Sequence, residues 1–398
     1  MAYKLETQNP EGVVERRYSE FYWLRDVLIR DFPGYYIPPM AKKEAGIKSF
    51  DEAFLKNRFE SLKKFVTSLV DHPALRAHPA VVGFLRLDDA KFSTLRKTID
   101  NKKNPYSFFN NSFALNDFEK FDPSHLQTET GEARVKIGEF YHKYSVELEK
   151  VLKDQNNTYS DIKAKILQLH SGLRGLSDIL NHIAADFEKL EKSSMSFSTA
   201  TGSKSWSDLG KTHNNWKTVS RAWSQQLLNN ADEVKEQLFT TFKYSRKECE
   251  AGLETLKVRN MAANKFFETE RIVDDVKEKL ITSYPDISKW DLESPALKYS
   301  KEDLLKDKKA TLYLMNPSKR QAFTNMRTAF GYLNTLLESE FERQGNMRAS
   351  RETKALGAWC RVRKEVMDSE VKALDNCFNQ ALERLNPAPP EANDEAAN

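Results

Sequence analysis

The sequence predicts a small α+β domain with an antiparallel sheet at the N-terminus, followed by an all-α, elongated bundle of three long helices that pairs as a dimer. Three observations carry this. Two short β-like stretches flank the turn Gln8-Asn9-Pro10-Glu11-Gly12. Proline recurs through the first 123 residues but is absent from Ser124 to Tyr284 and from Ser318 to Asn386. Within those proline-free stretches, apolar residues recur at alternating spacings of four and three, the period of a helix buried along one face.

Taken in order, Tyr3 to Thr7 and Val13 to Tyr18 read as two antiparallel strands joined by the Asn-Pro-Glu-Gly turn. The second ends on Arg16-Arg17-Tyr18-Ser19, ahead of the amphipathic run Phe21 to Ile29. An arginine fork can hold phosphate oxygens bidentately and does not lose its proton. The adjoining tyrosine supplies a flat apolar face. Phe32-Pro33-Gly34-Tyr35-Tyr36-Ile37-Pro38-Pro39 follows as an extended loop whose prolines fix φ and bias their neighbours, and it runs into Met40-Ala41-Lys42-Lys43. Phe50 to Leu69 reads as a helix. Phe54, Arg58, Leu62 and Phe65 share one face, and an arginine in that stripe packs its stem while its head reaches towards a pocket with Arg17 and Lys42.

Residues 89–123 read as a linker. Phe92, Leu95 and Ile99, with Lys91, Arg96, Lys97, Lys102 and Lys103 around them, form a basic amphipathic stretch of the kind that can lie in a lipid interface. Phe108, Phe109, Phe113, Phe118 and Phe121 then either dock one domain on the other or present a partner motif. The helical region, 124–386, divides into helices at about 124–192, 204–283 and 318–386, with the hydroxyl-rich stretch Ser193 to Ser203 as the first break. Ile162, Ile166, Leu169, Leu173, Leu176, Leu180, Ile183, Phe187 and Leu190 form one long seam, interrupted by Gly172 and Gly175, which serve close contact, a bend or neither. Trp206, Trp216 and Trp223, and later Phe323, Phe330, Leu333, Leu337 and Phe341, read as core. Three such helices are too thin a bundle to cover all these positions, so a second chain is expected. Lys143, Lys150, Arg221, Lys235, Lys243, Arg246, Lys247, Lys257 and Arg259 are candidates for a basic face. Residues 387–398 read as a disordered tail, proline-rich then acidic.

A net charge of +4 spread over 398 residues is mild, so an anionic partner must be met by patterned charge; nucleic acid is disfavoured. Cys249, Cys360 and Cys377 stand far apart, and no metal site, cofactor or disulfide framework is expected. No P-loop, GxSxG, GxGxxG or HExxH motif occurs, and the chain reads as a non-enzyme. His72 and His78 precede prolines, where capping or packing accounts for them. No signal-like or membrane-spanning run is present, and the reading is cytosolic.

Arg16 to Phe21, the Pro38-Pro39 loop with Lys42, and Arg58 with Leu62 and Phe65 resemble the signature of the PX domain, the phosphoinositide-binding phox homology fold. His72-Pro73-Ala74-Leu75 and Val82-Gly83-Phe84-Leu85 resemble its closing helices. The likeness covers residues 1–88, although PX domains begin with a strand well before the Arg-Arg-Tyr motif, and here the first strand is read as missing. The resemblance implies that Arg17 holds the 3-phosphate of phosphatidylinositol 3-phosphate, Tyr18 stacks on the inositol ring, Lys42 or Lys43 meets the 1-phosphate, and Arg58 meets the ring hydroxyls. Arg16 and Ser19 are weaker candidates.

With three long helices following, the chain resembles the PX-BAR sorting nexins as a whole. Trp206-Ser207-Asp208-Leu209-Gly210 is similar to the start of that family's second BAR helix. The resemblance implies a crescent-shaped homodimer or heterodimer with another sorting nexin, peripheral on the cytosolic face of early or recycling endosomes. It further implies anionic membrane and a cargo-sorting complex as partners, with a role in endosomal protein sorting, curvature and tubule transport. The alternative from a different class is a coiled-coil protein-interaction scaffold whose PX domain is non-functional.

Overall fold

The computed structural model describes residues 2–8, 11–40, 52–101, 139–283, 306 and 317–385. Strands β1 (Ala2–Gln8) and β2 (Glu11–Arg17) pair antiparallel, with Tyr3 opposite Arg16 and Leu5 opposite Val14. Successive side chains of a strand point to opposite faces. Val14 and Arg16 therefore turn inward and are buried, while Val13, Glu15 and Arg17 face outward. Among the described residues, the sheet has these two strands.

Helix α1 (Tyr18–Asp31) starts where β2 stops, and the Arg17 N–H donates to Glu20 Oε2 at 2.7 Å, satisfying one orphan amide of the first turn. It buries Phe21, Leu24, Val27 and Leu28. Helix α2 (Glu52–Asp71) adds Leu62, Phe65 and Leu69 to the same core. The short helices α3 (Pro73–Arg76) and α4 (Pro79–Arg86) each carry proline at the first helical position and a histidine N-cap. His72 Nδ1 accepts from the Ala74 and Leu75 amides, and His78 Nδ1 accepts from that of Ala80. Capping is thus the local task of both histidines.

Helix α5 (Asp89–Asn101) corrects one expectation. Its apolar face is spent inside the domain: Phe92 and Ile99 are buried, and Leu95 packs against the same core. Phe92 sits edge-on to both Trp23 and Phe84. The helix does not offer that face to a lipid interface. An added Cβ on Gly83 would lie 2.1 Å from Leu95 Cδ2, so glycine there is what lets α5 approach α4. The phenylalanine-rich stretch from Phe108 to Phe121 lies outside the described residues.

Three long helical stretches follow: α6 (Glu139–Thr201), α7 (Lys204–Glu233) running through a π-helical segment (Val234–Phe239) into α8 (Thr240–Ser283), and α9 (Pro317–Leu385). The first ends later than the sequence predicts, because the hydroxyl-rich break is helical; the predicted residues before 139 lie outside the described residues. Thr199 and Thr201 donate to the carbonyls four residues back, so their hydroxyls are satisfied within the helix. The chain turns only at Gly202, whose φ is +70°.

Contacts divide the chain into two compact units, residues 1–156 with 246–346 and residues 157–245 with 347–398. In the first, Ala262, Ala263, Phe266 and Val273 of α8 pack against Ala322, Phe323, Met326, Ala329, Phe330 and Leu333 of α9. Phe266 stacks on Phe330 at 5.1 Å and on Phe323 at 5.9 Å. Arg259, a candidate for the basic face, belongs instead to this interior, with 2% exposure. Its guanidinium donates to Asn334 Oδ1 (2.9 Å), Ser145 Oγ (2.8 Å), Asn260 Oδ1 (3.1 Å) and the Tyr141 carbonyl (3.3 Å), and burial pushes its pKa down to about 10.

The same unit joins the N-terminal domain to α8 and α9. Arg25 pairs with Glu254 at 2.6 Å, Lys247 Nζ donates to the Met40 carbonyl, and Thr255 Oγ1 donates to the Tyr35 carbonyl. The buried Glu340 carboxylate accepts from His72 Nε2 (3.1 Å), the Tyr36 amide (3.2 Å) and Arg343 (2.8 Å). Gly34 has φ +86°, and an added Cβ would lie 2.6 Å from Leu333 Cδ2, so the loop must be glycine where it meets α9.

In the second unit the predicted seam of α6 splits by heptad position. Of its nine residues Ile166 is buried, Ile162, Leu173, Leu180 and Phe187 are half-buried, and Leu169, Leu176, Ile183 and Leu190 stay at 39–53% exposure; the buried positions beside them are Ser177 and Ala184, outside the predicted seam. Ser177 and Ser224 share a buried hydrogen bond at 2.7 Å between α6 and α7. Trp206, Trp216 and Trp223 are half-exposed where core was expected; Trp216 stacks on Phe187 at 5.7 Å and Trp206 leans on Phe197 at 4.8 Å. A Cβ at Gly172 or Gly175 would meet open space, so these glycines serve no close contact among the described residues.

Candidate functional site

The two arginines that end β2 have opposite fates because the strand alternates. Arg16 has 0% exposure, and its guanidinium serves as a buried staple. Nε donates to the Phe84 carbonyl at 2.8 Å, Nη1 to the Glu15 carbonyl at 2.9 Å, and Nη2 to the carbonyls of Gly83 and Leu87. The carbonyls of Gly83, Phe84 and Leu87 lie at the C-terminus of α4, where a cation is favoured by the helix dipole. Asp89 adds an ion pair at 3.1 Å, and the Phe92 ring lies beneath the guanidinium at 4.3 Å. Desolvation holds the Arg16 pKa below its ordinary value. With every donor engaged, Arg16 is removed from the candidate ligand set.

Arg17 emerges on the solvent face at the first turn of α1, and Ser19 is exposed beside it. Neither Arg17 nor Arg58 forms an ion pair with a carboxylate among the described residues. Arg58, one third of the way along α2, is half-buried, and its Cζ lies 4.4 Å from the centroid of the Tyr18 ring. The structure therefore brings Tyr18 and Arg58 together next to Arg17, from three places in the chain: a strand end, a helix start and a helix interior. Lys42 and Lys43 lie outside the described residues.

The contact also alters what is expected of Tyr18. The ring face turned to Arg58 is occupied by the guanidinium, and Tyr22 approaches edge-on at 5.8 Å. A sugar ring stacking on Tyr18 must use what remains of its surface. Sequence reasoning placed Arg58 in an apolar stripe but did not see that Phe54, one turn earlier, would cover it. That spacing of four was the available signal.

The chemistry of the cluster is cationic and non-nucleophilic. Among the described residues, no group of three or more His, Cys, Asp or Glu side chains could hold a metal ion, and no helix is long and apolar enough to cross a membrane.

A PX domain family model matches residues 5–88. Over 92 residues the chain is 38% identical to Sorting nexin 1 of Arabidopsis thaliana, a stretch covering 23% of each protein. Over 75 residues it is 39% identical to Sorting nexin MVP1 of Saccharomyces cerevisiae, covering 19% of this chain and 15% of that one. The matched stretch thus spans less than a quarter of the length of these relatives. The fold comparison reaches further: the cryo-EM structure of the SNX-BAR Mvp1 tetramer superposes with a TM-score of 0.65 at 17% identity, covering 94% of both chains. Residues 5–88 are a PX domain, and the chain as a whole has the fold of a PX-BAR sorting nexin.

Proposed function

We propose that this protein is a peripheral membrane adaptor that binds phosphatidylinositol 3-phosphate through its PX domain and reads or imposes curvature through a dimer of its helical region. Its setting is the cytosolic face of endosomes, in protein sorting and tubule transport. The observation that carries the lipid reading is the cluster of Arg17, Tyr18 and Arg58, two cations without carboxylate partners among the described residues, beside an aromatic ring. Lys42, with Lys43 beside it, completes the set by resemblance. Single-site lipid binding is weak, and two such sites on one dimer raise the effective affinity.

A second copy of this chain is the favoured partner for the helical region. Four of the nine seam residues of α6 and three tryptophans of α7 stay exposed in a single chain, which is the pattern of an unfilled helical seam. Residues 1–88 carry the lipid reader, with α5 completing its core, and 124–386 carry the helical dimer in the same reading.

Liposome co-sedimentation of the full chain tests the lipid claim. Wild type should bind vesicles carrying phosphatidylinositol 3-phosphate at least tenfold better than Arg17→Ala does. Equal binding to vesicles with and without that lipid would overturn the proposal and return the chain to the scaffold reading.

A further inference from the structure

We infer that Phe54 is a positioning residue of the lipid site: with Tyr18 it clamps the Arg58 guanidinium between two rings and so fixes the direction in which Arg58 donates to a phosphorylated ligand. This rests on the lipid-binding reading above.

The Arg58 Cζ is 4.4 Å from the Tyr18 centroid and 4.4 Å from the Phe54 centroid. A guanidinium is drawn to a ring face by the ring quadrupole, and the attraction grows as water is excluded. Arg58 Nε is buried and has no hydrogen-bond acceptor among the described residues. The side chain is therefore oriented by aromatic surface, where most buried arginines are oriented by carbonyls or carboxylates. Arg16 shows that contrast within the same domain, its donors meeting three carbonyls of the α4 terminus and one carboxylate.

The arrangement follows from the chain. Phe54 and Arg58 are four apart on α2, so their side chains lie one above the other on one face. Tyr18 opens α1, and the stack therefore joins two helices. The two rings attract the cation but accept none of the hydrogen bonds its N–H donors can make. Those donors remain for oxygen acceptors arriving at the edge, which suits the hydroxyls and phosphate oxygens of an inositol headgroup. Aromatic holding also leaves Arg58 with its full charge, which a carboxylate partner would have neutralised.

The test uses the full chain and phosphatidylcholine vesicles with and without phosphatidylinositol 3-phosphate, comparing wild type, Phe54→Leu, Phe54→Tyr, Arg58→Ala and the Phe54→Leu/Arg58→Ala double variant. Loss of one ring face should weaken lipid-specific binding by roughly three- to tenfold. Phe54→Tyr, which keeps the face, should bind within about twofold of wild type. On the Arg58→Ala background, Phe54→Leu should cost nothing further, an outcome that a merely structural role for Phe54 does not produce. If Phe54→Leu lowers the melting temperature, Phe54→Met, which fills the space with a flexible apolar chain, takes its place. Weakened binding by Arg58→Ala with unchanged binding by Phe54→Leu would overturn the role of Phe54 and leave the lipid reading intact, as would equal losses from Phe54→Leu on both backgrounds. Arg58→Ala bound as tightly as wild type would overturn both.

Discussion

Replacing Glu340 by alanine removes the acceptor on which the PX domain rests against α9. The carboxylate is 5% exposed and accepts from His72 Nε2, the Tyr36 amide and Arg343. His72 Nδ1 already accepts two amides of α3, so the ring is the neutral tautomer with its proton on Nε2. Truncation takes from the His72 ring N–H, the Tyr36 N–H and Arg343 the acceptor that Glu340 gives them. Removing one member of a buried pair costs about 3–5 kcal/mol. Glu340→Gln keeps the shape and one acceptor oxygen, and should cost about 1–3 kcal/mol.

The contribution also depends on pH. Burial acts to raise the Glu340 pKa, but the hydrogen bonds from His72 and Arg343 outweigh it and hold the carboxyl below its ordinary value. A depressed acid stabilises fully above its unfolded pKa, about 4.3, and loses that contribution as pH falls through the folded value. The gap between wild type and Glu340→Gln should be constant from pH 7 to about pH 5 and shrink below about pH 4. Amide hydrogen exchange at Tyr36, read by mass spectrometry, reports the site directly and avoids assuming two-state unfolding of a two-unit chain. Exchange at Tyr36 that is equal in wild type and Glu340→Ala at neutral pH would refute the reasoning.

Arg16→Ala should destabilise the PX domain by about 3 kcal/mol or more, since several buried carbonyls lose their donor, whereas Arg17→Ala should move the melting temperature little; thermal unfolding separates the neighbours. Gly34→Ala should cost about 1–2 kcal/mol from the positive φ alone, with added strain against Leu333, and should raise exchange at Tyr36. Leu176→Glu should dissociate the proposed dimer: an apolar side chain buried twice across a two-fold interface is worth about 1.5–3 kcal/mol per copy, so Kd should rise roughly a hundredfold or more. Sedimentation velocity reads this, and a wild-type chain that stays monomeric at tens of micromolar would remove the basis for it.

Local chemistry was legible in the sequence wherever it acts over a few residues. The hairpin followed from two alternating runs about a turn, and the His-Pro pairs announced their caps. The long helices followed from the missing prolines and the four-three spacing. Where the reading failed, the deciding partner was remote or the residue had two tolerable states. Thr199 and Thr201 before Gly202 suit a loop, yet their hydroxyls are satisfied equally well inside a helix. Arg259 looks like any surface arginine until α6 and α9 close over it with Ser145 and Asn334. The seam of α6 is a single pattern in sequence, yet four of its nine residues stay exposed in a single chain. His72 and Glu340 lie 268 positions apart, and no local pattern links them. In the site, Arg17 and Arg58 were found by motif, but their difference from Arg16 comes from strand alternation and the α4 terminus.

The place of α5 bears on how this protein can be dissected. A fragment ended at residue 88, the limit of the family match, would discard Asp89, the ring under Arg16, and Ile99 from the floor of the core. It would also strip the Tyr35–Tyr36 stretch of Thr255 and Glu340, its donor and acceptor partners on α8 and α9. A weak lipid signal from such a piece would report a damaged scaffold around Arg17 and Arg58, and would say little about the affinity of the intact chain.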